Sequence, residues 1–127
     1  MFNENGLTFS KIIIAVGSSD LRRGIDGLSA MIRLKYDLDP LEKDTLFLFC
    51  GKRSDRIKGI LWIGDRFVMI YIRLVDGHFQ WPRTEKEART LSGEEFLRLM
   101  DGFNIDPSIG KKRKTPPKED CKKKRSN

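Results

Sequence analysis

Leu46-Phe47-Leu48-Phe49-Cys50 and Ile57-Lys58-Gly59-Ile60-Leu61-Trp62-Ile63 have the length and the aromatic and β-branched content of buried strands. The segment between them, Gly51-Lys52-Arg53-Ser54-Asp55-Arg56, has turn chemistry. Gly51 can take a positive φ, and Ser54 and Asp55 can bond back to the local backbone. Lys52, Arg53, Arg56 and Lys58 crowd four cationic side chains around Asp55 on this mount. Two readings are open for such a turn: a solvated hairpin tip, or a stiff basic grip on phosphate.

Outward from this hairpin the pattern continues as a meander. Phe67 to Val75 and a short His78 to Trp81 are further strands, with Gly64-Asp65 and Asp76-Gly77 as turns, the second a strong hairpin signal. Upstream, Lys11 to Val16 is a short apolar strand, and Gly17-Ser18-Ser19-Asp20 leads into a helix. Its apolar face carries Leu21, Ile25, Leu28 and Ile32 at steps of four, three and four. Gly24 and Gly27 weaken that helix by roughly 1 kcal/mol each relative to Ala, an expense that close packing on a sheet would offset. Near the end, Ser92 and Glu95 form a capping box, Leu91 and Phe96 a hydrophobic staple, and Gly102 a stop. The expected fold is α+β: a small antiparallel β-meander sheet packed with one long and one short helix, then a disordered basic C-terminal tail. The domain spans residues 1–106 and the lysine-rich tail residues 107–127.

The formal charge of +7 comes entirely from the last seventeen residues, where nine basic residues face two acidic ones; the preceding 110 residues hold sixteen of each sign. The tail lacks large apolar residues, so burial cannot offset its ordering entropy, and it suits nonspecific contact with nucleic acid or a merely solubilising role. Cys50 and Cys121 form no disulfide framework and no zinc spacing. No apolar run approaches a membrane span, and a cytoplasmic location with no membrane partner is expected.

Chemistry-bearing clusters are sparse. His78 has no neighbouring ligand in the sequence, and Gly51-Lys52-Arg53-Ser54 lacks the upstream glycine of a phosphate loop. Asp20, Asp26 and Asp55 are the residue type of a metal-dependent nuclease. Simpler roles also fit them: Asp20 as a helix cap, Asp55 as a turn former, Asp26 in an ion pair with Arg22 or Arg23. Phe67, Tyr71 and Arg73 share a parity and hence a sheet face, suited either to the core or to base stacking.

Two stretches carry a resemblance. Ser19-Asp20-Leu21-Arg22-Arg23-Gly24-Ile25-Asp26-Gly27-Leu28 is similar to a Thr-Asp-Met-Arg-Lys-Gly-x-Asp-Gly-Leu signature. Leu46 to Pro82 resembles a Leu-Phe-x-Phe strand, a basic turn ending Asp-Arg-Ile-Lys, an Arg-Leu pair, Gly-x-Phe and a closing Trp-Pro. Both belong to the TnpB-like accessory protein, the second reading frame product, of the IS sixty-six family of insertion sequences. The chain departs from the pattern at Cys50, Gly59, His78 and the Gly64-Asp65-Arg66 turn, and the tail lies outside it. The resemblance implies a non-catalytic protein that assists DNA transposition by a separate transposase, with no cofactor, metal or catalytic residue. The expected nucleic-acid contacts, with the ends of the element, are Lys52, Arg53, Arg56 and Lys58, extended by Arg22 and Arg23. The alternative is a module docking on the transposase without DNA contact, through the strand face around Phe67, Tyr71 and Trp81 or an exposed strand edge. Oligomeric state is open.

Overall fold

Strands β1 (Lys11–Ala15) and β2 (Thr45–Cys50) pair in parallel, with Ile13 opposite Phe47 and Ile14 opposite Leu48. The computed structural model describes residues 8–84 and 87–105. The basic tail, Cys121 included, lies outside the described residues. Helix α1 (Ile25–Leu34) forms the crossover that a parallel pair requires. Strands β3 (Arg56–Trp62) and β4 (Phe67–Arg73) continue from β2 as an antiparallel meander, while β5 (Ala88–Leu91) pairs antiparallel with β1 on the far side. The five strands run in the order β4-β3-β2-β1-β5. The α+β class and the meander stand as expected, but the sheet is mixed. The unbroken apolar runs of β1 and β2, buried on both faces, are the pattern of parallel central strands.

Each sheet face has its own cover. On one, α1 lays Leu28 and Ile32 over Ile13, Ala15, Phe47, Phe49 and Ile60. Helix α2 (Gly93–Met100) packs Phe96 and Leu99 on the other, over Ile12, Ile14, Leu46, Leu48, Ile57 and Leu61. Both reciprocal bonds of the Ser92/Glu95 capping box are present, and Leu91 and Phe96 lie in one cluster. At the other end, Gly102 N–H donates to Leu99 O (3.1 Å) and Phe103 N–H to Arg98 O (2.9 Å), while Gly102 holds a φ of +90°. This is the glycine-terminated cap expected there.

Three local expectations are corrected. Helix α1 begins at Ile25 with Gly24 as its N-cap, so only Gly27 is interior, and a Cβ there would meet Arg23 rather than the sheet. β4 ends at Arg73, and Val75 is fully exposed. After the Asp76-Gly77 turn the chain makes no strand with β4; Phe79 N–H donates instead to Ser54 O (2.7 Å), and Phe79 and Trp81 cover the α2 face of the sheet. Burial of these two large rings outweighs continuation of the meander. Among the described residues no helix is long and apolar enough to cross a membrane.

Gly59, the position where the resemblance has a large aliphatic, is explained by its neighbour across the strand. A Cβ at 59 would lie 2.8 Å from Leu48 Cδ2 and 3.3 Å from Phe47 O, in a fully packed layer. Gly59→Ala is therefore expected to destabilise the fold: overpacking costs about 1–3 kcal/mol, against a gain of roughly 0.5–1 kcal/mol in backbone entropy. Urea unfolding checks this, and in a Leu48→Val background, which lacks the clashing methyl, the penalty should shrink sharply.

Candidate functional site

Because β1 and β2 are parallel, their carboxyl ends emerge at the same end of the sheet, where β3 also begins and β4 ends. The segment after β1, residues 16–24, and the turn after β2, residues 51–55, are thereby brought side by side. Ser19 N–H donates to Cys50 O (2.8 Å), and Leu21 packs against Gly51 so closely that a Cβ there would lie 3.3 Å from it. Gly51 does not take the positive φ expected of it; close approach is what a side chain at 51 would obstruct.

Between the two segments lies an open cleft of about 940 Å³. Arg22, Lys52, Arg53, Arg56 and Lys58 line it, with Asp20 and Tyr71. Five of the six expected cations thus share one concavity, although Arg22 is thirty residues from Lys52 in the chain. Arg23 is absent from the lining but adjacent: Lys58 Nζ donates to its carbonyl (3.1 Å).

Two carboxylates organise these charges. Arg22 grips Asp20 with Nε (3.0 Å) and Nη2 (3.1 Å), and this hydrogen bonding holds the Asp20 carboxyl down at about 2. Asp20 therefore braces Arg22 rather than capping α1, and Asp26 is not Arg22's partner. Arg56 forks onto Asp55 (3.0 and 3.3 Å), with Arg53 Nη2 at 3.7 Å from the same carboxylate. Arg56 chiefly, and Arg53 more weakly, hold the Asp55 carboxyl below its usual range. Lys52 and Arg53 are exposed, whereas Arg56 and Lys58 are half-buried in the cleft wall. Five cations against two carboxylates leave the site positive in a core whose overall charge balances.

The backbone of the turn is fixed from beneath. Arg83 Nη2 donates to Gly51 O (2.7 Å) and Ser54 Oγ (2.8 Å), with a longer contact to Lys52 O (3.4 Å). Leu74 N–H donates to Asp55 O (2.7 Å). Ser54 and Asp55 thus serve arginines more than the local backbone expected of them. Arg83 was not singled out in the sequence, where nothing local marks a residue that acts across thirty positions. It is placed by the preceding Trp81-Pro82: Trp81 Nε1 donates to Ala15 O (3.0 Å), and Gly17 N–H to Pro82 O (2.9 Å).

The other sequence candidates separate. Among the described residues no three His, Cys, Asp or Glu side chains gather as a cation site, so Asp20, Asp26 and Asp55 form no such cluster. His78 is exposed, and Cys50 is buried, which pushes its thiol up. Phe67 packs edge-on against Trp62, with ring centres 4.9 Å apart, and Trp81 is buried on the opposite face. Phe67, Tyr71 and Trp81 therefore do not make one surface, and Tyr71 alone stands open.

A family model described as IS66 Orf2 like protein matches residues 10–109, a stretch that contains every cleft residue. The chain is 34% identical over 94 residues to "Uncharacterized protein y4jC" of Sinorhizobium fredii (strain NBRC 101917 / NGR234), covering 74% of this chain and 80% of that protein. It is 30% identical over 94 residues to "Uncharacterized protein y4hO" of the same strain, covering 74% and 81%. No solved structure matches the chain significantly.

Proposed function

The chain belongs to the IS66 Orf2-like family of insertion-sequence accessory proteins, and from that premise we propose that it assists transposition by a separate transposase, catalysing no step itself, by gripping DNA in its basic cleft. The observation that carries this reading is the convergence of five cationic side chains from two distant segments onto one concavity with a pinned backbone. A turn whose backbone is pinned by Arg83 presents its cations to phosphate with less of the chain left to order, which lowers the entropic cost of binding.

With Asp20 and Asp55 each offsetting one cation, about three phosphates are neutralised, which predicts a slope of log affinity on log salt near −3 on duplex DNA. A chain ending at Gly110 retains all described residues and removes all of the tail's charge, so it isolates the cleft. In that chain Lys52→Glu with Arg53→Glu, both at exposed positions, should weaken binding to element-end DNA and flatten the slope to about −1. A salt-titrated anisotropy series checks it. Absence of binding by the unsubstituted truncated chain at low salt would refute the proposal.

A second reading, docking on the transposase, draws support from β4, which ends the sheet as an edge strand of seven residues. Co-purification with the transposase that survives nuclease and the double charge reversal would favour it.

A further inference from the structure

The proposed DNA cleft contains one aromatic ring among its cations, and that ring narrows the class of ligand. On the α1 side of β3 and β4, Lys58 lies opposite Tyr71 and Arg56 opposite Arg73. Along β4 the same face carries Phe67, Met69, Tyr71 and Arg73; Phe67 and Met69 are partly buried against the α1 core, and Phe67 closes on Trp62. Tyr71 is 51% exposed and lines the cleft. The Arg56 guanidinium lines the same cleft.

Resting on the reading of the cleft as a DNA site, we infer that it takes single-stranded or unpaired DNA, with Tyr71 as the stacking platform and the surrounding Lys and Arg as phosphate contacts. Duplex DNA offers phosphates to the cations but keeps its base faces stacked inside the helix, where the Tyr71 ring finds no partner. An unpaired strand offers both, and a face-on ring among basic residues is how single strands are held without sequence preference. A volume of about 940 Å³ admits a short run of nucleotides.

The test measures full-length chain binding to a labelled oligonucleotide, as a single strand and as the duplex of the same sequence, for wild type, Tyr71→Ala, Tyr71→Leu and Tyr71→Phe. The basic C-terminal segment is common to all four, so differences among them report the cleft. Tyr71→Ala is expected to lower single-strand affinity roughly five- to 150-fold, the loss of one stacked base, with duplex affinity little changed. Tyr71→Leu keeps apolar bulk on the strand but has no planar face, and should lose single-strand affinity similarly; Tyr71→Phe should retain it. Unchanged single-strand affinity in a folded Tyr71→Ala or Tyr71→Leu chain, or an equal loss on both forms, would overturn the inference while leaving a duplex-binding cleft intact. If wild type binds neither form, the DNA reading fails and this one with it.

Discussion

Trp81→Ala is expected to destabilise the protein by about 3–5 kcal/mol, a large fraction of the roughly 5–15 kcal/mol that holds a domain folded. The indole is 5% exposed and packs in the cluster of Ile14, Val16, Cys50 and Phe79, so truncation leaves a cavity that strands on a shared sheet cannot collapse to fill. It also removes the buried 3.0 Å bond to Ala15 O. Trp81→Phe keeps most of the packing and loses chiefly the hydrogen bond, for an expected cost of about 1–3 kcal/mol. Urea denaturation followed by far-UV circular dichroism separates the two. Equal and small losses would mean that the Trp81 segment is a surface cover rather than part of the core.

Arg83→Ala should cost about 2–3 kcal/mol, because Gly51 O and Ser54 Oγ lose a charged donor that reaches both at once. Arg83→Lys should recover only part of this, since a single ammonium lacks the planar spread of the guanidinium. The functional signature is distinctive. Arg83 does not line the cleft, so its removal should weaken DNA binding through a loosened turn while the salt slope, which counts phosphate contacts, stays near its original value. A slope that falls as it does for the Lys52→Glu and Arg53→Glu pair would instead make Arg83 a direct contact.

The elements most legible in the sequence are those whose causes are local. The capping box of Ser92 and Glu95, the Gly102 stop and the two runs flanking the basic turn each depend on residues a few positions apart, and each occurs where expected. The aromatic composition of the segment from Phe79 to Trp81 suits a strand and a core cover equally well, and only the available surface on the sheet decides. β5 is not legible in the sequence because Ala88-Arg89-Thr90-Leu91 has little strand character of its own and is held by pairing with β1. The residues of the basic turn were visible as a dense charge run, but their pairing with Asp55 and their union with Arg22 were not.

By itself, the sequence determined the existence of strands β1 to β4 and of both helices, the neutral balance of the core and the positions of the cationic residues, because periodicity, capping and charge act over a turn or two of chain. Only the tertiary structure decided that β1 and β2 are parallel, that Arg22 faces Lys52 and Arg53 across one cleft, that Tyr71 is open while Trp81 is buried, and that Arg83 holds the turn. Each of those depends on contacts between residues thirty or more positions apart, or on which surface another segment has already covered. Such choices are settled by the packing of the whole sheet and leave no local trace.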